Sequence, residues 1–398
     1  MPALSDPLPL PCGARLPNRL AKAAMSEQLG DRAGAPGEAL VRLYGRWAAG
    51  GCGLLLSGNV MLDARHRGEA GNVVIEDERH LDALRRWASA ATSHGAQFWM
   101  QINHPGRQAP RNIDPHPVAP SLVPMKIPGG AFAKPRALED AEIEDIVARF
   151  AKTAAVAKRA GFSGVQIHAA HGYLISQFLS PLTNLRDDAW GGDSTRRRQF
   201  LLEIVQAVRR EVGPELAISV KLNSADFQRG GFDEAESMAV VAALDEAGID
   251  LLEVSGGTYE RTEMFDNGGR PSTQQREAYF LEYAEKVRAV TKIPLMLTGG
   301  FRTRAGMDAA LASGAVDLIG LARPLAVEPD LPRRLLEGSS ERALSIRLDT
   351  PSKLLDAAIV GAWHQWQLRR MGEGAEPDPE LSRSRALWHY VSGMFSQR

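Results

Sequence analysis

Short apolar runs alternate along this chain with longer segments whose apolar residues recur every three to four positions. The short runs read as buried strands at Arg19–Ala24, Leu54–Ser57, Gln97–Gln101, Gly164–His168, Ala217–Leu222, Leu251–Ser255, Pro294–Thr298 and Asp317–Gly320. Between them, Ile143, Ile146, Val147, Phe150 and Ala154 fall on one face of a helix. Phe200, Leu201, Ile204, Val205 and Val208 do the same, as do Phe280, Tyr283, Ala284 and Val287. Pairs such as Ala160-Gly161 and Ala247-Gly248 stand where each helix should stop. Eight strand–helix repeats predict an α/β fold, a (β/α)8 TIM barrel over residues 1–338, with an open doubly wound sheet as the alternative.

Two stretches break the repeat. Residues 103–138 are rich in proline and glycine and too long for an ordinary connection, which predicts a functional loop. Residues 339–398 predict a helical extension, with helices at Ser352–Met371 and Ser382–Phe395. Trp363, Trp366, Trp388 and Tyr390 make it aromatic, as expected of a surface packing on the barrel or on a second subunit of a homo-oligomer.

Composition narrows the function. A net charge of −1 gives no field for nucleic acid or an anionic membrane. Only two cysteines, Cys12 and Cys52, exclude a disulfide framework and a four-cysteine iron–sulfur cluster. Neither a secretory leader nor a membrane-length apolar run is visible, so a cytoplasmic protein is expected.

Chemistry in such barrels sits at the C-terminal strand ends. The fourth run ends in His168, His171 and Tyr173. Two imidazoles and a phenol so close could hold a metal, hold a carbonyl oxygen, or be core residues. No neighbouring cysteine or glutamate completes a metal set, and the helical His-Glu-x-x-His arrangement is missing, so no metal site is expected. After the seventh and eighth runs, Gly299-Gly300 and Ala322-Arg323 suggest a phosphate seat at a helix start. Small residues Ala23, Ala24 and Gly58 would let a flat ring lie against backbone. Gln101 suits the donor–acceptor edge of such a ring, and Lys221 offers a positive charge. A flat ring with a phosphate describes flavin mononucleotide (FMN). His66, His104, His116 and His364 read as surface or loop histidines, His104 being the exception for its place beside Gln101.

The stretch "HAAHGYLISQFLSPLTNLRDDAWGG" resembles the signature of the Old Yellow Enzyme family of flavin-dependent ene-reductases and NADH:flavin oxidoreductases. "NRLAKAAMSE", "QINHPGRQ", "GGF" at 230–232 and "LTGGF…LIGLARPL" support the resemblance, which spans residues 8 to about 335. It implies FMN bound on a barrel and reduced by NADH or NADPH, followed by ping-pong hydride transfer to an α,β-unsaturated carbonyl compound. It implies that Ala23, Ala24, Met25, Ser26, Gly58, Gln101 and Lys221 contact the ring, with Ser26 near O4 and N5. Gly299, Gly300, Ala322 and Arg323 belong to the implied phosphate turns. His168 and His171 are the implied ligands of the substrate oxygen and Tyr173 the implied proton donor. Trp190 stands where the family pattern has tyrosine, and "DSTRRRQF" also departs from it. A dienoyl-CoA-type reductase without the cluster, or a non-catalytic flavin-binding barrel, are the rival readings. Arg107, Arg111 and Arg261 are candidates for a nicotinamide 2′-phosphate, and the 103–138 loop and segment 256–275 for shaping the pocket.

Overall fold

Eight of the nine parallel strands of one sheet close a barrel in the computed structural model, which describes residues 1–127, 129–257, 260, 280–346, 348, 353–386 and 388. They are β1 (Leu20–Lys22), β2 (Leu54–Met61), β3 (Gln97–Asn103), β4 (Gly164–Ala169), β5 (Ala217–Asn223), β6 (Leu251–Ser255), β7 (Leu295–Thr298) and β8 (Leu318–Leu321). Each pairs with the next, and β8 returns to β1 through Ile319–Leu20 and Gly320–Ala21, closing a (β/α)8 barrel. All eight expected runs become barrel strands. β2 runs four residues past its expected end at Ser57, because a bulge between Leu56 and Asn59 absorbs Ser57 and Gly58 while pairing to β3 continues.

Strand alternation sorts the side chains. In β5, Ile218, Val220 and Leu222 join the core under the helices, whereas Ala217 faces the barrel interior with Leu54, Trp99, Leu251 and Leu318. Leu8, Leu10 and Leu16, from a short antiparallel ribbon, pack against that inner cluster and seal the end where the strands begin. Gly164 carries no side chain because a Cβ there would lie 2.7 Å from the Trp99 ring. Farther along the same strands the interior turns polar, at Gln101, Gln166, Ser219, Lys221 and Glu253. That gradient puts chemistry at the C-terminal end.

Outside lie α1 (Glu38–Ala49), α2 (Leu81–Thr92), α3 (Asp140–Arg159), α4 (Leu174–Leu179), α5 (Ser194–Val212), α6 (Glu234–Glu246), α7 (Leu281–Arg288), α8 (Arg304–Ala312), α9 (Leu331–Glu337) and α10 (Lys353–Gly372). The periodic stripe of α5 is buried throughout, and α3 starts with a reciprocal capping pair, Glu139 and Glu142. α10 packs on α1 and on the turn after β8. Trp363 is fully buried within its own chain, its Nε1 donating to the Leu381 carbonyl at 2.9 Å, so it is no subunit contact. Of the second tail helix only the beginning lies within the described residues; Tyr390, Arg261 and nearly all of segment 256–275 lie outside them. No helix among the described residues is long and apolar enough to cross a membrane.

Candidate active site

β4 delivers His168 to the barrel mouth, and the turn that follows brings His171 and Tyr173 back over it. The His168 ring lies 5.1 Å from that of His171 and 4.8 Å from that of Tyr173, centroid to centroid. The Ala170 N–H donates to His168 Nδ1 at 3.2 Å, so the ring proton of neutral His168 sits on Nε2. His171 has φ +61°, a left-handed conformation rare for a side-chain-bearing residue, followed by Gly172 at +78°. Three contacts hold it there. Its N–H donates to Asn223 Oδ1 at 3.2 Å, its carbonyl accepts from Gln108 Nε2 at 3.1 Å, and its Nε2 lies 2.8 Å from Ser255 Oγ. Burial pushes both imidazoles well below their ordinary pKa, with Lys221 adding to the effect. Both rings are therefore neutral near pH 7. Asn59 Nδ2 donates to the Tyr173 hydroxyl at 3.2 Å.

Below this group runs a buried polar chain. Gln101 Nε2 donates to Gln166 Oε1 at 2.7 Å, Gln166 Nε2 to Glu253 Oε2 at 2.9 Å, and Glu253 Oε1 lies 2.9 Å from Lys221 Nζ. Lys221, expected from the sequence as a positive charge, is thus half of a buried ion pair. Gln166 and Glu253 have no role in the sequence reading, because neither belongs to a recognisable motif.

At the ends of β1 and β2, Ala23 is buried while Ala24, Met25 and Ser26 are half-buried. Gly58 donates its N–H to Glu27 Oε1 at 2.8 Å, and a Cβ there would come within 2.3 Å of the Met25 carbonyl. Behind them Lys22 is fully buried, donating to the Leu56 carbonyl at 2.6 Å and to the Tyr44 hydroxyl at 2.8 Å. Burial lowers its pKa to about 8, opposed by Glu27 at 3.6 Å. The Ser26 hydroxyl donates to Glu69 Oε2.

The turns after β7 and β8 carry Gly299 (φ +141°), Gly300 (φ +85°), Ala322 and Arg323. What Arg323 opens is a four-residue 3-10 helix, Arg323–Ala326, too short for the helix dipole expected there. Thr298 Oγ1, at the end of β7, is buried without a hydrogen-bond partner, the kind of atom a bound polar group satisfies. α10 reaches the same mouth. Gln365 Nε2 donates to the Ser26 carbonyl at 3.1 Å. Burial brings the neighbouring His364 down to a pKa of about 4, with Arg323 and Arg302 reinforcing it against the ring's bond to the Val360 carbonyl.

Other candidates fall elsewhere. His104 is buried rather than in a surface loop, its Nδ1 accepting from the Gly106 N–H at 3.1 Å beside the His66–Asp114 pair. Arg107 is committed to Glu260 at 2.5 Å and to the Pro124 carbonyl at 2.9 Å, which leaves it poorly placed for a 2′-phosphate. Among the described residues no three His, Cys, Asp or Glu side chains come together as a metal set.

Small residues around Ala23 and Gly58, a buried amide chain ending at Gln101, and glycine turns beside the orphaned Thr298 hydroxyl fit a flat ring with a phosphorylated tail. Comparison with known proteins agrees. Residues 5–342 match the NADH:flavin oxidoreductase / NADH oxidase family. The NADH-dependent flavin oxidoreductase iliE of Hypocrea jecorina (strain QM6a) is 39% identical over 393 residues, 92% of this chain and 95% of the relative. The Old Yellow Enzyme homologue from Zymomonas mobilis superposes with a TM-score of 0.72 at 27% identity, over 88% of this chain and 98% of that one. A 2-naphthoyl-CoA reductase in complex with 2-naphthoyl-CoA gives 0.78 at 28% identity, over 84% of this chain but 52% of its own. With its closed barrel, its histidine–tyrosine turn and a cradle suited to FMN, this chain belongs to the NADH:flavin oxidoreductase / NADH oxidase family, as an FMN-dependent, NAD(P)H-dependent oxidoreductase of the Old Yellow Enzyme group.

Proposed function

We propose that the chain is an ene-reductase, reducing the C=C bond of α,β-unsaturated carbonyl compounds at the expense of NADH or NADPH. The observation that carries this reading is the neutral pair His168 and His171 beside Tyr173, at the barrel end where the cradle for the ring lies. When bound, FMN supplies hydride from N5. The protein's part is to hold the substrate oxygen and deliver the proton. Two imidazole N–H donors meeting at one carbonyl oxygen stabilise the negative charge that builds there, by roughly 3 kcal/mol per donor in comparable oxyanion sites. Tyr173 then gives its phenolic proton to the α carbon. Ser255, Asn223 and Gln108 fix His171, so the donors are placed before substrate arrives.

On this reading the nicotinamide leaves before the enone enters the same cavity. Residues 1–338 carry the chemistry and 339–398 form an extension packed on it, in a cytoplasmic enzyme. An unsaturated thioester would present the same carbonyl to the same donors, which keeps acyl-CoA compounds within the substrate class.

The test is anaerobic. Enzyme reduced by one equivalent of NADH is mixed with cyclohexenone and followed at the oxidised-flavin absorbance. Rapid return of the yellow band with parallel double-reciprocal plots is expected. Reduction by NADH with no reoxidation by any enone would reject ene-reduction while leaving the family assignment intact.

A further inference from the structure

Ser26 is held from two remote parts of the chain. Its carbonyl accepts from Gln365 of α10 at 3.1 Å, and its hydroxyl donates to Glu69 Oε2. Glu69 is itself braced. Its N–H donates to Asn72 Oδ1 at 2.7 Å, and Asn72, 3% exposed, returns Nδ2 toward Glu69 Oε2 at 3.4 Å and toward the Asn59 carbonyl at 3.5 Å. The carboxylate is therefore tied to the bulge of β2 and has one hydroxyl in its grip.

A hydroxyl has a single proton, so what Ser26 gives to Glu69 it cannot give to a ligand. A bond to a carboxylate is about twice as strong as one to a neutral acceptor such as a ring carbonyl, so Glu69 wins that competition. We propose that Glu69 is a positioning residue for flavin reduction: it claims the Ser26 proton, turns the Ser26 lone pairs toward the bound ring, and lowers the ring's affinity for electrons. The proposal rests on the reading of Ser26 as a ring contact. Burial raises the Glu69 pKa, with Glu27 adding to it and Ser26, Gln28 and Asn72 opposing. Those three opposing bonds are what favour the ionised carboxyl, the form that accepts the Ser26 proton.

The experiment measures the flavin midpoint potential of the holoenzyme by dye equilibration, in wild type, Glu69→Gln, Ser26→Ala and the double variant. Glu69→Gln is expected to shift the reduced-to-oxidised ratio toward reduced by about tenfold, equivalent to about 30 mV for a two-electron couple. In the Ser26→Ala background the same change should shift it twofold at most. An unchanged potential in Glu69→Gln overturns the proposal. An equal shift with and without Ser26 also overturns it, because Glu69 would then act as a bare charge. If Ser26→Ala alone leaves the potential in place, the ring-contact reading fails and takes the proposal with it. Should Glu69→Gln not retain FMN, Glu69→Asp keeps the charge and withdraws it by one methylene. It should move the potential the same way, and an unmoved potential there counts against the proposal.

Discussion

The Asn59 side-chain amide donates to the Tyr173 hydroxyl oxygen across 3.2 Å, joining the bulge of β2 to the turn after β4. It occupies an oxygen lone pair, so the phenolic proton must point elsewhere. Replacing it with an apolar group forfeits about 1 kcal/mol of orientation. Asn59→Leu should therefore slow enone-driven flavin reoxidation roughly 5-fold and leave flavin reduction by NADH unaltered, as read by anaerobic stopped-flow absorbance.

Tyr173→Phe removes the proposed acid itself. Reoxidation by enone should fall about 100- to 10,000-fold, whereas reduction by NADH, which needs no phenol, should change little. Equal losses in both half-reactions would mean that Tyr173 shapes the cavity rather than delivering a proton.

Gly58→Ala tests the cradle. The added methyl would lie 2.1 Å from Glu27 Oε2 and 2.3 Å from the Met25 carbonyl, and the carbonyl belongs to backbone that cannot swing aside. Overpacking of this kind costs roughly 1–3 kcal/mol. The variant should bind FMN at least tenfold more weakly, measured by fluorescence titration of apoprotein, and unfold at lower urea.

Four histidines, His104, His168, His171 and His364, have pKa values pushed below the ordinary value by burial. The unfolded chain binds protons at these positions near pH 6.5 while the native chain does not. Their contribution to stability is full above about pH 6.5 and is lost as the pH falls, by about 1.4 kcal/mol per histidine per pH unit. Glu69 and Asp226, whose carboxyls are raised, act in the opposite sense at lower pH. Urea unfolding at pH 7.5, 6.5 and 5.5 should give a steep decline over the last step. A level profile contradicts neutral burial.

What the sequence made legible was whatever depends on local pattern. β5 and β6 are short apolar runs that end in polar residues, so their positions followed from the run pattern, and the histidine–tyrosine turn followed from its spacing. β2 was cut short because Ser57-Gly58-Asn59 looks like a turn, and only pairing with β3 shows it to be a bulge. His104 was singled out for its place beside Gln101, but its burial against His66 was not legible, because nothing local reveals that ring contact or the His66–Asp114 pair. Glu69, Asn72, Gln166 and Glu253 were passed over for a related reason: a buried hydrogen bond between distant residues leaves no mark on either neighbourhood. Lys221 was found, but its partner was not, and the partner alters what its charge can do.

The bond from Gln365 to the Ser26 carbonyl spans 339 residues of chain. At translation speeds of roughly 5–20 residues per second, Ser26 leaves the ribosome between about a quarter of a minute and a minute before its partner exists. For most of that interval a nascent polypeptide lacks both β8, on which β1 pairs, and the wall that α10 leans against Ser26. The Ser26 side of the cradle is therefore finished only after residue 365 has been added, so the last wall of the site is among the last parts of the chain to be made.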